Sequence, residues 1–154
     1  MSYPGLDISG KVCLVSGVTT GIGLAIALAL AASGASVVAG SSNPDKVAAV
    51  TKELGEKHES LRMDVADDAS VRSAVEKTIA RFGRLDAVIN AAGIISRKPA
   101  IETSTAEFEQ IVKVDLTGSF IVAREAAKVM KDQSPDARGQ RGSMVLIASL
   151  NSYV

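Results

Sequence analysis

Short apolar runs rich in valine and isoleucine recur along the chain, and between them lie longer stretches whose apolar positions return every three or four residues. This alternation is the pattern of βαβ units feeding a parallel sheet, since a strand covered by helices on both faces needs an unbroken apolar run. Five strands are expected, over Lys11 to Ser16, Ser36 to Gly40, Ser60 to Asp64, Leu85 to Asn90 and Ser143 to Ala148. Each has the length of a strand and is apolar enough to be buried on both faces.

The helices between them carry their own punctuation. Leu24 to Ala32 is an uninterrupted apolar stretch, about half the ~20 residues that span a bilayer, and it reads as a buried helix. The second helix is capped by Asn43, takes Pro44 at its first position with φ already set, and closes at Gly55. The third starts at Asp67 or Asp68, places Val71, Val75, Ile79 and Phe82 on one face toward the sheet, and ends at Gly83. A fourth begins with the capping-box pattern Ser104-Thr105-Ala106-Glu107, and its helical spacing continues through Ala123, Ala126 and Ala127 to Met130, with a kink expected near Gly118. Ser134 to Gly142, with Pro135 and two glycines among polar residues, reads as a surface loop before the last strand.

The segment Ser16-Gly17-Val18-Thr19-Thr20-Gly21-Ile22-Gly23 follows the first strand directly and opens the first helix. A glycine triplet alone also serves a tight turn that binds nothing, but here strand, loop and helix stand where an anion cradle requires them. Gly17 permits the turn, Gly21 lets the backbone approach a pyrophosphate, and Gly23 lets helix and strand pack closely. Free N–H groups and the positive end of the helix dipole then face the anion, with Thr19 and Thr20 as further donors.

The G-x-x-x-G-x-G spacing of these glycines resembles the short-chain dehydrogenase/reductase motif, and four further segments agree in order. Asp64-Val65 at the end of the third strand looks like the family's adenine-contacting pair, and Asn90-Ala91-Ala92-Gly93 resembles its Asn-Ala-Gly signature. Val114 to Phe120 is similar to the stretch that holds a catalytic asparagine, with Asp115 at that place, and Leu146-Ile147-Ala148-Ser149 ends on the family's catalytic serine. The resemblance covers the whole chain. It implies an α/β fold with a doubly wound, Rossmann-like parallel sheet of about five strands and flanking helices, incomplete as it stands because the sixth strand of the usual order lies outside these residues. On the residues themselves, Asp64 also suits the start of a turn, and Asn90 has donors and acceptors enough to tie strand ends together beneath a ribose.

A nicotinamide dinucleotide is the implied cofactor. An NAD site of this kind places an acid about 20 residues beyond the glycines, on the ribose 2′-hydroxyl. Here that strand end reads Gly40-Ser41-Ser42-Asn43, with no carboxylate to repel a 2′-phosphate, two hydroxyls to donate to one and Lys46 to help neutralise it. Charge logic favours NADP over NAD, although the glycine loop brings no arginine or lysine of its own. The expected nucleotide contacts are therefore Ser16, Gly17, Thr19, Thr20, Gly21, Ile22, Gly23, Ser41, Ser42, Asp64, Val65, Asn90, Ala91 and Gly93, with Ser149 and Asp115 as the catalytic candidates.

In the family a serine orients the substrate carbonyl, a tyrosine supplies the proton and a lysine in a Tyr-x-x-x-Lys segment lowers the tyrosine pKa. Ser149 matches the first, Asp115 departs from the asparagine by bringing a charge, and Tyr153 stands too close to Ser149 for the second role. The expectation is a C-terminally truncated family member, one NAD(P)-binding domain over residues 1–154, impaired in transferring hydride between nicotinamide and a secondary alcohol or ketone. The alternative is a nucleotide-binding or partner-binding relative without catalysis.

Composition narrows the partners. At 154 residues the chain is one domain or part of one, and 47% hydrophobic with 22% charged residues is the balance of a globular protein. Lys+Arg 17 against Asp+Glu 17 leaves no basic stripe for a phosphate backbone, so nucleic acid is not an expected partner. A small-molecule substrate is expected; a metal and a membrane are not. Cys13, inside an apolar run, suits a small buried hydrophobe, and the N-terminus lacks the pattern of a secretory signal, which together suggest a cytoplasmic setting. As the last strand of the chain, Ser143 to Ala148 would be an apolar sheet edge, so self-association or a capping partner is expected.

Overall fold

The structure, a computed structural model, describes residues 8–149. Strands β1 (Val12–Ser16), β2 (Ser36–Ser41), β3 (Glu59–Arg62), β4 (Ala87–Asn90) and β5 (Ser143–Leu146) pair in parallel in the order β3-β2-β1-β4-β5. Between them run α1 (Gly21–Ala32), α2 (Pro44–Leu54), α3 (Asp68–Phe82), α4 (Thr105–Ile111) and α5 (Gly118–Met130). A short 3-10 turn, Ala100–Glu102, precedes α4.

Alternate residues of the central strands feed two separate cores. Leu14, Val38 and Val88 point to one face, where Val71, Ala74 and Val75 of α3 meet Ile121, Val122 and Ala126 of α5. Cys13, Val15, Val37, Ala39 and Ile89 point to the other, against Ala27 of α1 and Val50 and Leu54 of α2. Burial on both sides is why β1 carries five apolar or small residues without interruption. Two crossovers carry the chain outward from β1 to β2 and β3, and the next returns past β1 to β4. The connections leaving β1 and β4 therefore diverge, and a crevice opens at the carboxyl ends of these two strands.

The helix ends follow the sequence signals. Asn43 accepts from the Lys46 N–H at the start of α2, Asp67 accepts from Ala69 and Ser70 at the start of α3, and Ser104 with Glu107 forms a reciprocal capping box on α4. Gly83 closes α3 in the left-handed conformation.

Several boundaries differ from the expectation, each for a local reason. β3 ends at Arg62 rather than Asp64 because the Asp64 N–H turns to the Ser70 hydroxyl and its carboxylate accepts from Ala66, which starts the turn into α3. β4 begins at Ala87 rather than Leu85, since Gln133 takes both the N–H and the carbonyl of Leu85. β2 runs one residue further, to Ser41, and β5 stops at Leu146. The stretch Leu24 to Ala32 is only partly buried: within α1 just Gly23 and Ala27 are closed off from solvent. β5 is the apolar edge the sequence led one to expect, exposed throughout, with Met144, Val145 and Leu146 between 41% and 47% accessible. It is the edge of the sheet.

The expected kink near Gly118 has a different origin. Residues Val112–Thr117 form a π-helical segment joining α4 to α5, and Gly118 is the first residue of α5. A Cβ on Gly118 would stand 2.9 Å from Val65 Cγ2, so the glycine lets the helix press onto the end of the β3 segment. Close approach, rather than weak helix propensity, requires it.

Candidate cofactor and active site

The crevice begins at the glycine loop. Gly17 has φ +72, and a Cβ there would lie 2.6 Å from the backbone of Ala91 and Ala92, so this residue both turns the chain and admits the segment after β4. Gly23 is buried with its Cα against the Gly17 carbonyl. Gly21 has φ +60, and a Cβ on it would meet nothing within 4 Å, so the backbone here borders open space. Thr20 precedes α1 without a side-chain cap, and no acidic residue lies in the first turn. α2, α3 and α4 all have capping side chains, so the N–H groups at the start of α1 alone among these four are left for an outside acceptor.

A groove of about 390 Å³ runs along these elements, lined by Gly17, Thr19, Thr20, Ser41, Ser42 and Asp64 on one side. Met63, Val65, Ala91, Ala92, Gly93, Ile94, Gln110 and Val114 complete it. The groove, with the uncapped helix end at Gly21 beside Thr20, is of the kind that takes a dinucleotide cofactor. One oxygen of Asp64 accepts from Ala66, as the turn reading requires, and the other is left toward the groove. Ser41 is buried and accepts from the Asn43 N–H, which leaves its own hydroxyl proton to donate.

Not every expected contact faces this groove. Ser16 and Asn90 are 1% and 2% exposed, and both side chains are spent internally. Ser16 Oγ donates to Asn90 Oδ1, Asn90 Nδ2 donates to Ser119 Oγ at 2.9 Å, and Ser119 Oγ donates to the Asp115 carbonyl at 2.6 Å. This chain ties the ends of β1 and β4 to the π-helical turn, so the Asn90 side chain braces the site from beneath. The Ile22 side chain stands out to solvent, 62% exposed.

A second cleft, about 580 Å³, adjoins the groove through Ala91 to Ile94 and brings Asp115, Ser119 and Ser149 together. The Asp115 carboxylate accepts from the Ile94 N–H at 2.9 Å, fixing the loop that separates the two hollows. Ser149 lies at the far wall, beyond the end of β5. Tyr153 lies outside the described residues. Sequence reasoning missed Ser119, Gln110 and Val114. Gln110, Val114 and Gly118 share one side of a helix at four-residue spacing, a signal that was there to read.

The family model for short chain dehydrogenases matches residues 11–154. The chain belongs to that family. It is 36% identical to 2-dehydro-3-deoxy-D-gluconate 5-dehydrogenase of Formosa agariphila over 99% of its length, and 34% identical to D-threitol dehydrogenase of Mycolicibacterium smegmatis over 96%. The crystal structure of a short-chain type dehydrogenase/reductase from Mycobacterium marinum superposes with a TM-score of 0.88 at 32% identity, covering 96% of the chain. The chain spans 57%, 58% and 59% of these three relatives, so somewhat over half of their length. No described helix is long and apolar enough to cross a membrane.

Proposed function

We propose that this chain is the nucleotide-binding part of an NADP-dependent oxidoreductase that moves hydride between the nicotinamide and a secondary alcohol or ketone. The observation that carries the reading is the uncapped start of α1, facing open space at Gly21 where the strand order reverses. The N–H groups there and the hydroxyls of Thr19 and Thr20 hold the pyrophosphate, and Asp64 accepts the adenine amino group. A bound nicotinamide supplies the acceptor for the hydride that leaves when the C–H bond of the alcohol breaks. Ser149 orients the carbonyl oxygen, and Asp115 holds the wall between nucleotide and substrate through Ile94.

Preference for the 2′-phosphate rests on Ser41 and Ser42 and on a cation that register supplies. Arg62 on β3 pairs with Ser41 across the ladder, is exposed, and has no partner among the described residues. It supports the NADP reading where the glycine loop does not. The second reading, nucleotide binding without turnover, is favoured by Asp115, which brings a charge where the family carries an asparagine. The apolar edge at β5 supports self-association through that strand.

By their names, the two curated relatives act on a sugar acid and on a neutral polyol, so the charge of the substrate is what separates them. Calorimetry with NADPH and NADH tests the nucleotide reading. NADPH is expected to bind more tightly, Gly21→Val to abolish binding and Arg62→Gln to narrow the preference. Saturable binding that survives Gly21→Val refutes the cradle.

A further inference from the structure

Beside the nucleotide groove lies a recess of about 550 Å³ between the loop after β4 and the face of α4, lined by Ile94, Ile95, Arg97, Lys98, Gln110 and Ile111 among others. It is continuous with both hollows already described. Gln110 lines it together with the groove, Ile95 lines it together with the Ser149 cleft, and Ile94 lines all three. A molecule seated here therefore has one end within the recess and the other at the junction where nucleotide and Ser149 meet. The volume is within the range of small-molecule sites, and the wall sets aliphatic Ile94, Ile95 and Ile111 beside polar and charged side chains.

Its charge is uneven. Lys98 is paired with Glu107 across the recess, so these two cancel. Arg97 has no hydrogen bond or ion pair among the described residues, and it is exposed. The Asp115 carboxylate, in the adjoining cleft, is committed to the Ile94 N–H. One unpaired guanidinium beside aliphatic side chains, where the recess's own acid Glu107 is already taken by Lys98, is a receptor for a planar anion, because its parallel N–H groups match the two oxygens of a carboxylate.

We propose that this recess is the substrate-side subsite for a carboxylate, with Arg97 binding the acid end of a small hydroxy or keto acid whose reacting carbon reaches past Ile94 toward Ser149. The proposal rests on the oxidoreductase reading for the identity of the ligand as substrate, and on the chain's own residues for the anion site. It makes Arg97 a specificity-determining residue that favours acids over the corresponding neutral polyols.

The test uses the full chain, with and without saturating NADPH, titrated with gluconate and with sorbitol, which share a six-carbon hydroxylated skeleton and differ in the charged end. Gluconate is expected to bind more tightly than sorbitol. Arg97→Gln is expected to weaken gluconate about tenfold, the usual worth of a charged hydrogen-bonded contact, and to leave sorbitol, NADPH and the melting temperature unchanged. Arg97→Lys should recover part of the loss. Equal affinity for the two probes, equal gluconate binding by Arg97→Gln, or inorganic phosphate displacing gluconate at equal concentration would each overturn the carboxylate subsite while leaving the nucleotide reading intact. If NADPH does not bind but gluconate still prefers Arg97 in the nucleotide-free chain, the oxidoreductase reading fails and the subsite stands.

Discussion

Replacing Asn90 by aspartate changes one NH₂ group to an oxygen and leaves the shape of the side chain alone, yet it should reverse the pH dependence of stability. Asn90 is 2% exposed, accepts from Ser16 and donates to Ser119. Ser119 has a single hydroxyl proton, already given to the Asp115 carbonyl. An ionised carboxylate at this position would therefore set a negative oxygen against the Ser119 lone pairs in a buried site, with only Ser16 donating to it. The protonated acid restores a donor toward Ser119 and is nearly isosteric with the amide. Burial without compensating cations raises a carboxyl pKa by up to about 3–5 units, and a shift of three units corresponds to about 4 kcal/mol.

The sign follows from linkage. A carboxyl whose folded pKa is raised contributes its full stability below its unfolded value near 4 and loses it as the pH rises through the folded value. Relative to the native chain, Asn90→Asp should cost about 1 kcal/mol or less at pH 4 and about 4 kcal/mol at pH 8, or on the order of 10 °C in melting temperature for a chain of this size. Circular dichroism melts of both proteins from pH 4 to pH 8 read the difference directly, which removes the acid sensitivity they share. A loss that is flat with pH, or larger at acid pH, would show that residue 90 is not sealed in the Ser16–Ser119 chain.

Three further outcomes follow from other parts of the fold. Burial pushes the Asp86 carboxyl up, but hydrogen bonds from Arg84 and the Val12 N–H, with Lys11 beside it, outweigh this and hold it below the usual carboxylate range. Its stabilisation is thus present above pH about 4 and lost as the pH falls through the folded value; Asp86→Asn should cost about 1–3 kcal/mol near neutrality and flatten the acid limb of the melting curve. Burial pushes the Cys13 thiol up to about 11, so a thiol reagent at pH 8 should label the native chain slowly and the urea-unfolded chain fast; fast native labelling would place Cys13 outside the core. At micromolar concentration, light scattering after size exclusion should show self-association through β5, relieved by Val145→Lys, whereas a clean native monomer would refute it.

The sheet, its parallel pairing and the helix caps were legible because they depend on runs and neighbours close in sequence. Asn43, Asp67, Ser104 and Gly83 do locally what their side chains and backbone preferences dictate. The glycine loop was legible for the same reason, in the turn at Gly17 and the close packing at Gly23. What escaped depends on residues distant in sequence. The π-helical turn before Gly118 exists because α5 presses on Val65, and nothing within Val112–Thr117 announces it. The chain from Ser16 through Asn90 to Ser119 joins three elements: the tie made by Asn90 was legible from its donors and acceptors, whereas the partners Ser16 and Ser119 were not. Arg62 acquired its place beside Ser41 only through strand register.

These supports explain how residues that never face the groove can govern it. The crevice opens because the connections leaving β1 and β4 diverge, yet the walls of a binding site must not drift apart. Gly17 and Ala91 are in backbone contact at the top of the two strands, and the Ser16–Asn90 hydrogen bond joins them from beneath. From Asn90 the chain continues through Ser119 to the Asp115 carbonyl, and the Asp115 carboxylate in turn holds the Ile94 N–H. Ile94 is the shared wall of groove, cleft and recess. Loosening Asn90 should therefore weaken nucleotide binding and carboxylate binding together, although its side chain is spent beneath the site, whereas Gly21→Val affects the first and Arg97→Gln the second. That pattern of one shared and two separate effects distinguishes a single braced site from three independent hollows.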